Sequence, residues 1–533
     1  MHSNAKWYLI APSVAASLAA AENPVVQTRF TADPAPMVWN DTVFLYTSHD
    51  EDNATGNGGF QMKDWLLYTS TDMVNWRDRG TVASLANFKW GPQTNGAWAP
   101  QTIRRDGKFY MYAPLHGKGI GVLVADSPYG PFKDPIGKAL VADDPWKYID
   151  PSPLVDSDGQ AYLYFGNPDA WWVKLNPDMT STSGAITMIP RLKTYQEGPW
   201  IHKHGNLYYL SFASTCCPEG IGYATAPSPT GPWTYRGSIM DGNSKSSGNH
   251  PGIIDFKGKS YVFGFNYAIN FSLVTDQRER RSVCAAELKY NADGTIPKLS
   301  WWGGGMPSGP GVAQVGTFDP YAQVEAETMA WSRGVKTLAS SEGGMYLTSL
   351  HNGDFIKLSG VDFGIGAASF EARVASSTSG GDIELRLDSA NGRLAGTLAV
   401  AGTGGEQTWT VKSCPISAAA GVHDLFLVFT GNGSGALFNV DRWKFTALPS
   451  AVERGSVAQG GQWLRVELKD GRLGVQSDLP IDGIELVSVR GGTRDLGAGT
   501  RREWSTREFA PGIYLLKVRS GSQMKVERIL LNL

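Results

Sequence analysis

Three carboxylic acids stand at matching places in a repeated pattern: Asp33 before Pro34, Asp150 before Pro151, and Glu197 before Gly198-Pro199. Hydrolysis of a glycosidic bond needs an acid to protonate the leaving oxygen and a carboxylate on the opposite face of the sugar. In an inverting enzyme that carboxylate activates water, and the two groups lie roughly 6.5–9.5 Å apart. A third carboxylate alongside raises the acid's pKa by like-charge repulsion while staying ionised itself. Asp or Glu before Pro is common in turns, so each acid alone would read as a turn residue. Three in register, with His250-Pro251 and Trp98-Ala99-Pro100 at the remaining matching places, read as one site.

The elements that must position them repeat as well. Each anchor leads, ten or eleven residues on, through a polar turn into an aromatic-rich strand; these strands open at Val43, Phe109, Ala161, Leu207 and Tyr261. Repeats of roughly 40–50 residues built from short strands indicate propeller blades, and five repeats indicate five blades. If the strands opening at Val43 and its counterparts are the first of their blades, they line the central channel. Asp33, Trp98, Asp150, Glu197 and His250 then converge on one pocket. Asp126 to Phe132 and Pro227 to Trp233 are close copies of a Pro/Gly turn that ends in an aromatic, which is expected to pack between blades.

With 533 residues the chain is too long for one core. A net charge of −2 gives no electrostatic case for nucleic acid or an anionic membrane. Eighteen Trp and 20 Tyr supply many rings on which sugars can stack. Residues 1–21 read as a secretory signal: Lys6, a short apolar stretch from Trp7 to Leu18, then Ala19-Ala20-Ala21. Secretion or display at the cell surface is therefore expected, with no transmembrane segment. Adjacent Cys216 and Cys217 are candidates for a vicinal bridge, with two buried thiols as the other reading.

The expected fold is all-β: a propeller over 22–313, a linker at 314–322, a β-sandwich over 323–447, a second linker at 448–460, and a small β domain over 461–533.

Thr31 to Pro36, Trp98 to Pro100, Ile149 to Ser152, Tyr195 to Trp200 and Gly248 to Gly252 together resemble glycoside hydrolase family 43. The resemblance covers about 28–305. It implies a five-bladed propeller and an inverting mechanism, with Asp33 as general base, Asp150 as pKa modulator and Glu197 as general acid. It makes His250 a central-channel histidine near a bound ion, Arg281 a sugar contact, and Trp98 and Trp200 candidate stacking walls. Ser214 to Tyr223 and Asn249 to Tyr267 look like the β-xylosidase and α-L-arabinofuranosidase members. Xylan, arabinoxylan, xylo-oligosaccharides and arabinan are the implied partners. An endo-arabinanase of the same fold and a non-catalytic sugar-binding propeller are the alternatives.

Residues 324–445 resemble a family 6 carbohydrate-binding module through Glu325-Ala-Glu327, Asn352-Gly-Asp354, Thr408-Trp409 and Phe438 to Asp441. That resemblance makes Glu325, Glu327 and Asp441 candidate ligands of a structural calcium. Glu406 and Ser349 stand where such modules carry aromatics, which argues for weak sugar binding. The last 73 residues, with Ala510 to Tyr514, look like C-terminal secretion-sorting domains.

Overall fold

The computed structural model describes residues 20–52, 54, 60–142, 146–243, 249–273, 280–417, 419–448, 464–469, 472–488, 493–499, 501–505, 509, 512–521 and 523–531. The chain divides into two compact units. One holds most of the chain to Phe445; the other holds residues 446–533 with the short segments 363–369 and 417–421.

Five antiparallel sheets, each a meander in chain order, make the blades. Blade 1 comprises Phe30–Trp39, Thr42–Asp50, Asp64–Ser70 and Trp76–Ser84. Blade 2 comprises Gln101–Arg105, Lys108–Leu115 and Gly119–Ala125. Blade 3 comprises Ser152–Val155, Ala161–Phe165, Trp171–Leu175 and Thr182–Met188. Blade 4 comprises Tyr195–His204, Leu207–Ser214, Gly220–Ala226 and Thr234–Met240. Blade 5 comprises Gly252–Phe256, Lys259–Asn266 and Ser282–Leu288. The first strands touch one another in sequence, and that of blade 5 touches that of blade 1, so the ring closes.

One expectation needs correction. The strands opening at Val43, Phe109, Ala161, Leu207 and Tyr261 are the second strands of their blades. The innermost strands begin at the anchors themselves. The prolines concealed this, because Pro cannot donate to a ladder and argues against a central strand. An innermost strand is an edge strand of its sheet, so the missing N–H is tolerated. Around Asp33-Pro34 and Glu197-Gly198-Pro199 the pairing register shifts, which accommodates the prolines.

The ring is sealed by its two ends. Ala20–Glu22 pairs antiparallel with Pro310–Ala313. The Asn23 amide donates to the Ala285 carbonyl at 3.0 Å and accepts the Ala285 N–H at 2.9 Å. Of the segment read as a secretory signal, residues 1–19 lie outside the described residues, and Ala20-Ala21 fall in this closing strand. The copied turns end in aromatics that meet a neighbouring blade: Phe132 packs edge-on to Tyr46, and Trp233 to Tyr164.

The sandwich has two antiparallel sheets. One runs through 336–339, 345–348, 439–447, 367–375 and 410–415; the other through 331–333, 355–362, 422–430, 380–387 and 393–401. Its first residues also join the propeller. Thr328-Met329 pairs with Arg77 and Trp76, adding a fifth strand to blade 1. The segment read as a linker, 314–322, opens on a buried residue: Gln314 donates to Asp72 at 3.1 Å and to the Ser359 carbonyl at 3.0 Å. The second unit has a three-stranded and a four-stranded sheet around Leu473, Val475, Ile484, Leu486, Leu516 and Val518.

Candidate active site

Asp33 and Asp150 are both held at positive φ, 48° and 58°. Such a backbone costs roughly 1–3 kcal/mol at a non-glycine residue and clusters at active sites. Gly198 is also at positive φ; a Cβ there would meet the His250 ring at 2.9 Å, so only glycine fits. The inner strands deliver Asp33, Asp150, Gly198 and His250 to one narrow central cavity that Gln101 of blade 2 also lines, so all five blades contribute.

His250 is the hub. Its Nδ1 lies 3.4 Å from Asp33; its Nε2 lies 3.4 Å from Glu197 and 3.8 Å from Asp150. Burial opposes a charge on this ring, but Asp33, Asp150 and Glu197 together raise it to about 10. Asp33 and Glu197 thus flank one imidazole from its two nitrogens.

Asp33 accepts from Ser48 Oγ at 2.7 Å and from Arg281 Nη1 at 2.8 Å. Burial alone would raise its carboxyl, but Arg281, His250 and Ser48 outweigh it and hold it below the usual range. Asp33 is therefore ionised and fit to be a base. Asp150 accepts the Gly198 N–H at 3.1 Å. Burial first, then Glu197 and Asp33, push it up to about 7 against the pull of His250. This departs from the expectation that Asp150 stays ionised: near neutral pH it shares in the proton of a group that titrates as a unit. Glu197 Oε2 accepts from the Asn167 side-chain amide.

The other sequence-derived candidates fall in different places. Arg281 is buried, and its donors are spent on protein: Nη1 on Asp33, and Nε and Nη2 on Asp50 at 3.0 Å each. It positions the base rather than a sugar. Trp200 is buried, lines the central cavity, and donates its indole N–H to the Ile253 carbonyl at 3.0 Å. Trp98 remains partly open and packs against His116, ring centroids 4.4 Å apart, and Trp146, 5.2 Å apart. Trp146 is 56% exposed and lies four residues before Asp150. The pair forms an aromatic patch, its Trp98 next in the chain to Ala99 and Pro100, which line the central cavity.

Glu325, Glu327 and Asp441 are not brought together as a three-carboxylate set. Glu327 meets Arg77 Nε at 3.1 Å, Glu325 takes the Gln323 amide at 3.0 Å, and Asp441 accepts from Arg373 and Arg442 at 2.9 Å each. Arg373 also lies over the Trp409 ring at 5.3 Å, covering one aromatic of the sandwich.

Sequence reasoning passed over Trp146, His116, Asn167, Asp50 and Glu219. Glu219 ends the turn that carries the Cys216–Cys217 disulfide, and burial followed by the charge of Glu197 pushes it up to about 8. Asn167-Pro168 was the one available signal, since an amide before Pro marks a built turn; Trp146, His116 and Glu219 lie in loops, and Asp50 is the last residue of the second strand of blade 1.

Carboxylates on either side of a closed five-bladed channel define a glycoside hydrolase, and the chain belongs to glycosyl hydrolases family 43, whose model matches residues 21–296. The carbohydrate binding module (family 6) model matches residues 325–447. The chain is similar to the arabinoxylan arabinofuranohydrolase of Bacillus subtilis (strain 168), 37% identical over 80% of this chain and 92% of that protein. The enzyme of the same name from Paenibacillus polymyxa is also 37% identical, over 80% of this chain and 74% of that protein. A crystal structure of the Bacillus subtilis family 43 arabinoxylan arabinofuranohydrolase in complex with cellotetraose superposes with a TM-score of 0.71 at 36% identity, covering 80% of this chain and 97% of that one.

Proposed function

We propose that this enzyme removes arabinofuranose side chains from arabinoxylan with inversion of configuration. The observation that carries the reading is the ionised Asp33 and the Glu197 carboxyl facing one another across His250. Asp33, stripped of any proton by Arg281, takes one from water as that water attacks the anomeric carbon. Glu197, held by Asn167 and His250, gives its proton to the leaving oxygen. Asp150, which burial, Glu197 and Asp33 push up to about 7, supplies the proton that the cluster shares. The choice of arabinose over xylose rests on the two relatives named above, whose likeness extends through the sandwich. Parallel assays on aryl arabinofuranoside, aryl xyloside, arabinoxylan and linear arabinan test it. Arabinose release from arabinoxylan exceeding every other activity is expected; a faster xyloside reaction or internal cleavage of arabinan would defeat the reading.

Calcium belongs to this proposal at one place only. Ligand atoms of Asp150, Glu197 and His250 lie within 4.8 Å of one another, and the two carboxylates suit a hard cation. A calcium there, reached by His250 through water, would lend positive charge to the site where the imidazolium otherwise sits. Added calcium should raise the melting temperature of chelator-treated enzyme, and His250→Ala should abolish the rise. The sandwich carboxylates do not fit a calcium as placed, because each of their partners above is a guanidinium or an amide. One Glu327 oxygen is left buried without a partner.

Secretion and a sorting role for the last domain are part of the same reading. The Cys216–Cys217 bond supports an oxidising compartment. Fractionating cells that express the whole chain, and the chain cut after residue 447, tests both: enzyme retained inside would count against the first, and unchanged export of the shortened chain against the second.

A further inference from the structure

Away from the channel, the outer strand of blade 1 presents Arg77 and Arg79 on one face, two residues apart. Arg77 is answered by acids of the sandwich: Nε meets Glu327 at 3.1 Å, and Nη2 lies 3.8 Å from Glu325. Arg79 is not. Its Nε donates to Thr69 Oγ1 at 2.9 Å, and its guanidinium lies 4.9 Å over the Tyr129 ring. Among the described residues no carboxylate comes within 4.0 Å of it, and its two Nη groups make no hydrogen bond. Burial, and then the like charge of Arg77, hold Arg79 below its usual value.

Arg79 borders a cavity of about 410 Å³ between blade 1 and the start of the sandwich. Its walls carry hydroxyls and amides, among them Thr42, Thr317 and Gln323, beside the carboxylates of Asp319 and Glu325, with Tyr129 as an aromatic face. A second cavity of about 250 Å³ adjoins it through Arg77, Arg79 and Tyr129. The volume suits one or two sugar rings, since ligand sites run roughly 300–1,000 Å³. Hydroxyl and amide walls match a polyol. A partly desolvated guanidinium with an open fork matches a carboxylate, which it binds in bidentate fashion.

We propose that this cavity binds a uronic acid residue of a polysaccharide, with its carboxylate on the Arg79 fork and its ring hydroxyls on the threonine and amide walls. The site is distinct from the channel and owes nothing to Asp33 or Glu197. It would hold an acid-substituted chain on the catalytic domain itself, at a place where the sandwich supplies one wall.

Calorimetric titration of the full chain with glucuronosyl-xylose, xylobiose and sodium sulfate tests the assignment. The acidic disaccharide should bind roughly tenfold or more tighter than xylobiose, the worth of one charge-assisted contact. Added salt should weaken that preference. Arg79→Gln, with its melting temperature close to wild type, should abolish it. Arg79→Lys keeps charge and packing, and so guards against a misfolded Gln variant; it should lower the preference because an ammonium cannot fork. Equal affinity for the two disaccharides overturns the proposal. So does sulfate binding as tightly as the acidic sugar, which would mark an ion site, and so does a preference untouched in both variants.

Discussion

Arg281→Met isolates what the buried guanidinium does for the base. Methionine keeps an unbranched apolar stem where Arg281 lies 4.6 Å from the Phe60 ring and 4.9 Å from the Phe265 ring, but it removes the charge. Asp33 loses its 2.8 Å partner, and Asp50, fully buried, loses both guanidinium contacts. An opposite charge at this range lowers an aspartate by about 1–3 units, so the acid limb of kcat/KM should move up by about 1–3 pH units. Removing one partner of a buried pair costs about 3–5 kcal/mol, which should appear as a lower melting temperature at neutral pH. The sign follows from the direction of the shift. A lowered carboxyl contributes stability above its unfolded value near 3.9, and that stability is lost as pH falls through the folded value. The melting gap between wild type and variant should therefore be widest near neutrality and narrow in acid. The assay is a pH series of kcat/KM on an aryl arabinofuranoside, paired with thermal melts. A folded variant whose acid limb has not moved would refute the claim that Arg281 keeps Asp33 ionised.

Glu197→Gln should lose several hundredfold or more on oligosaccharides, within the roughly 10²–10⁴ range of general acids, and far less on aryl glycosides with good leaving groups; equal losses on both would remove the general-acid role. Proton NMR of the first product in a fresh digest should show the anomer opposite to the substrate's, and retention would mean a nucleophilic carboxylate. Trp146→Ala should raise KM on arabinoxylan while sparing kcat on aryl substrates, since the lost ring is worth roughly 0.5–1.5 kcal/mol of stacking; an unchanged KM would make Trp146 mere loop packing. Full-chain enzyme should bind insoluble xylan weakly through the sandwich, because Arg373 covers Trp409, and Glu406 and Ser349 stand where the resemblance to family 6 modules leads one to expect aromatics; strong binding abolished by Arg373→Ala would instead locate a sugar site there.

The acids were legible because a propeller writes its channel into the chain as a repeat. Asp33, Asp150, Glu197 and His250 each precede a proline or a Gly-Pro at the same step from a strand, so register alone grouped them. What the repeat could not carry was the partner of each acid. Asp50 and Asn167 sit at places unique to their blades, and their contacts with Arg281 and Glu197 span 231 and 30 residues. Trp200 and Arg281 were assigned to sugar through the family resemblance; the burial of each depends on neighbours in other blades. The same holds for Glu327, whose partner Arg77 lies 250 residues away in a different domain.

The base and the arginine that ionises it are 248 residues apart, and the strand that seals the ring joins residue 20 to residue 313. On the ribosome, Asp33 is therefore made long before its counter-charge exists. Four blades can emerge and stack on one another while the base still faces water with no arginine beside it. Only when the fifth blade and the closing strand appear does the channel become a channel. Pairings this distant carry a high loop-closure cost and set a slow last step. From the end of blade 4 at Met240 to the closing strand at Pro310–Ala313, the growing chain is a nearly complete propeller with no working hydrolytic site, and the chemistry switches on as the circle is completed.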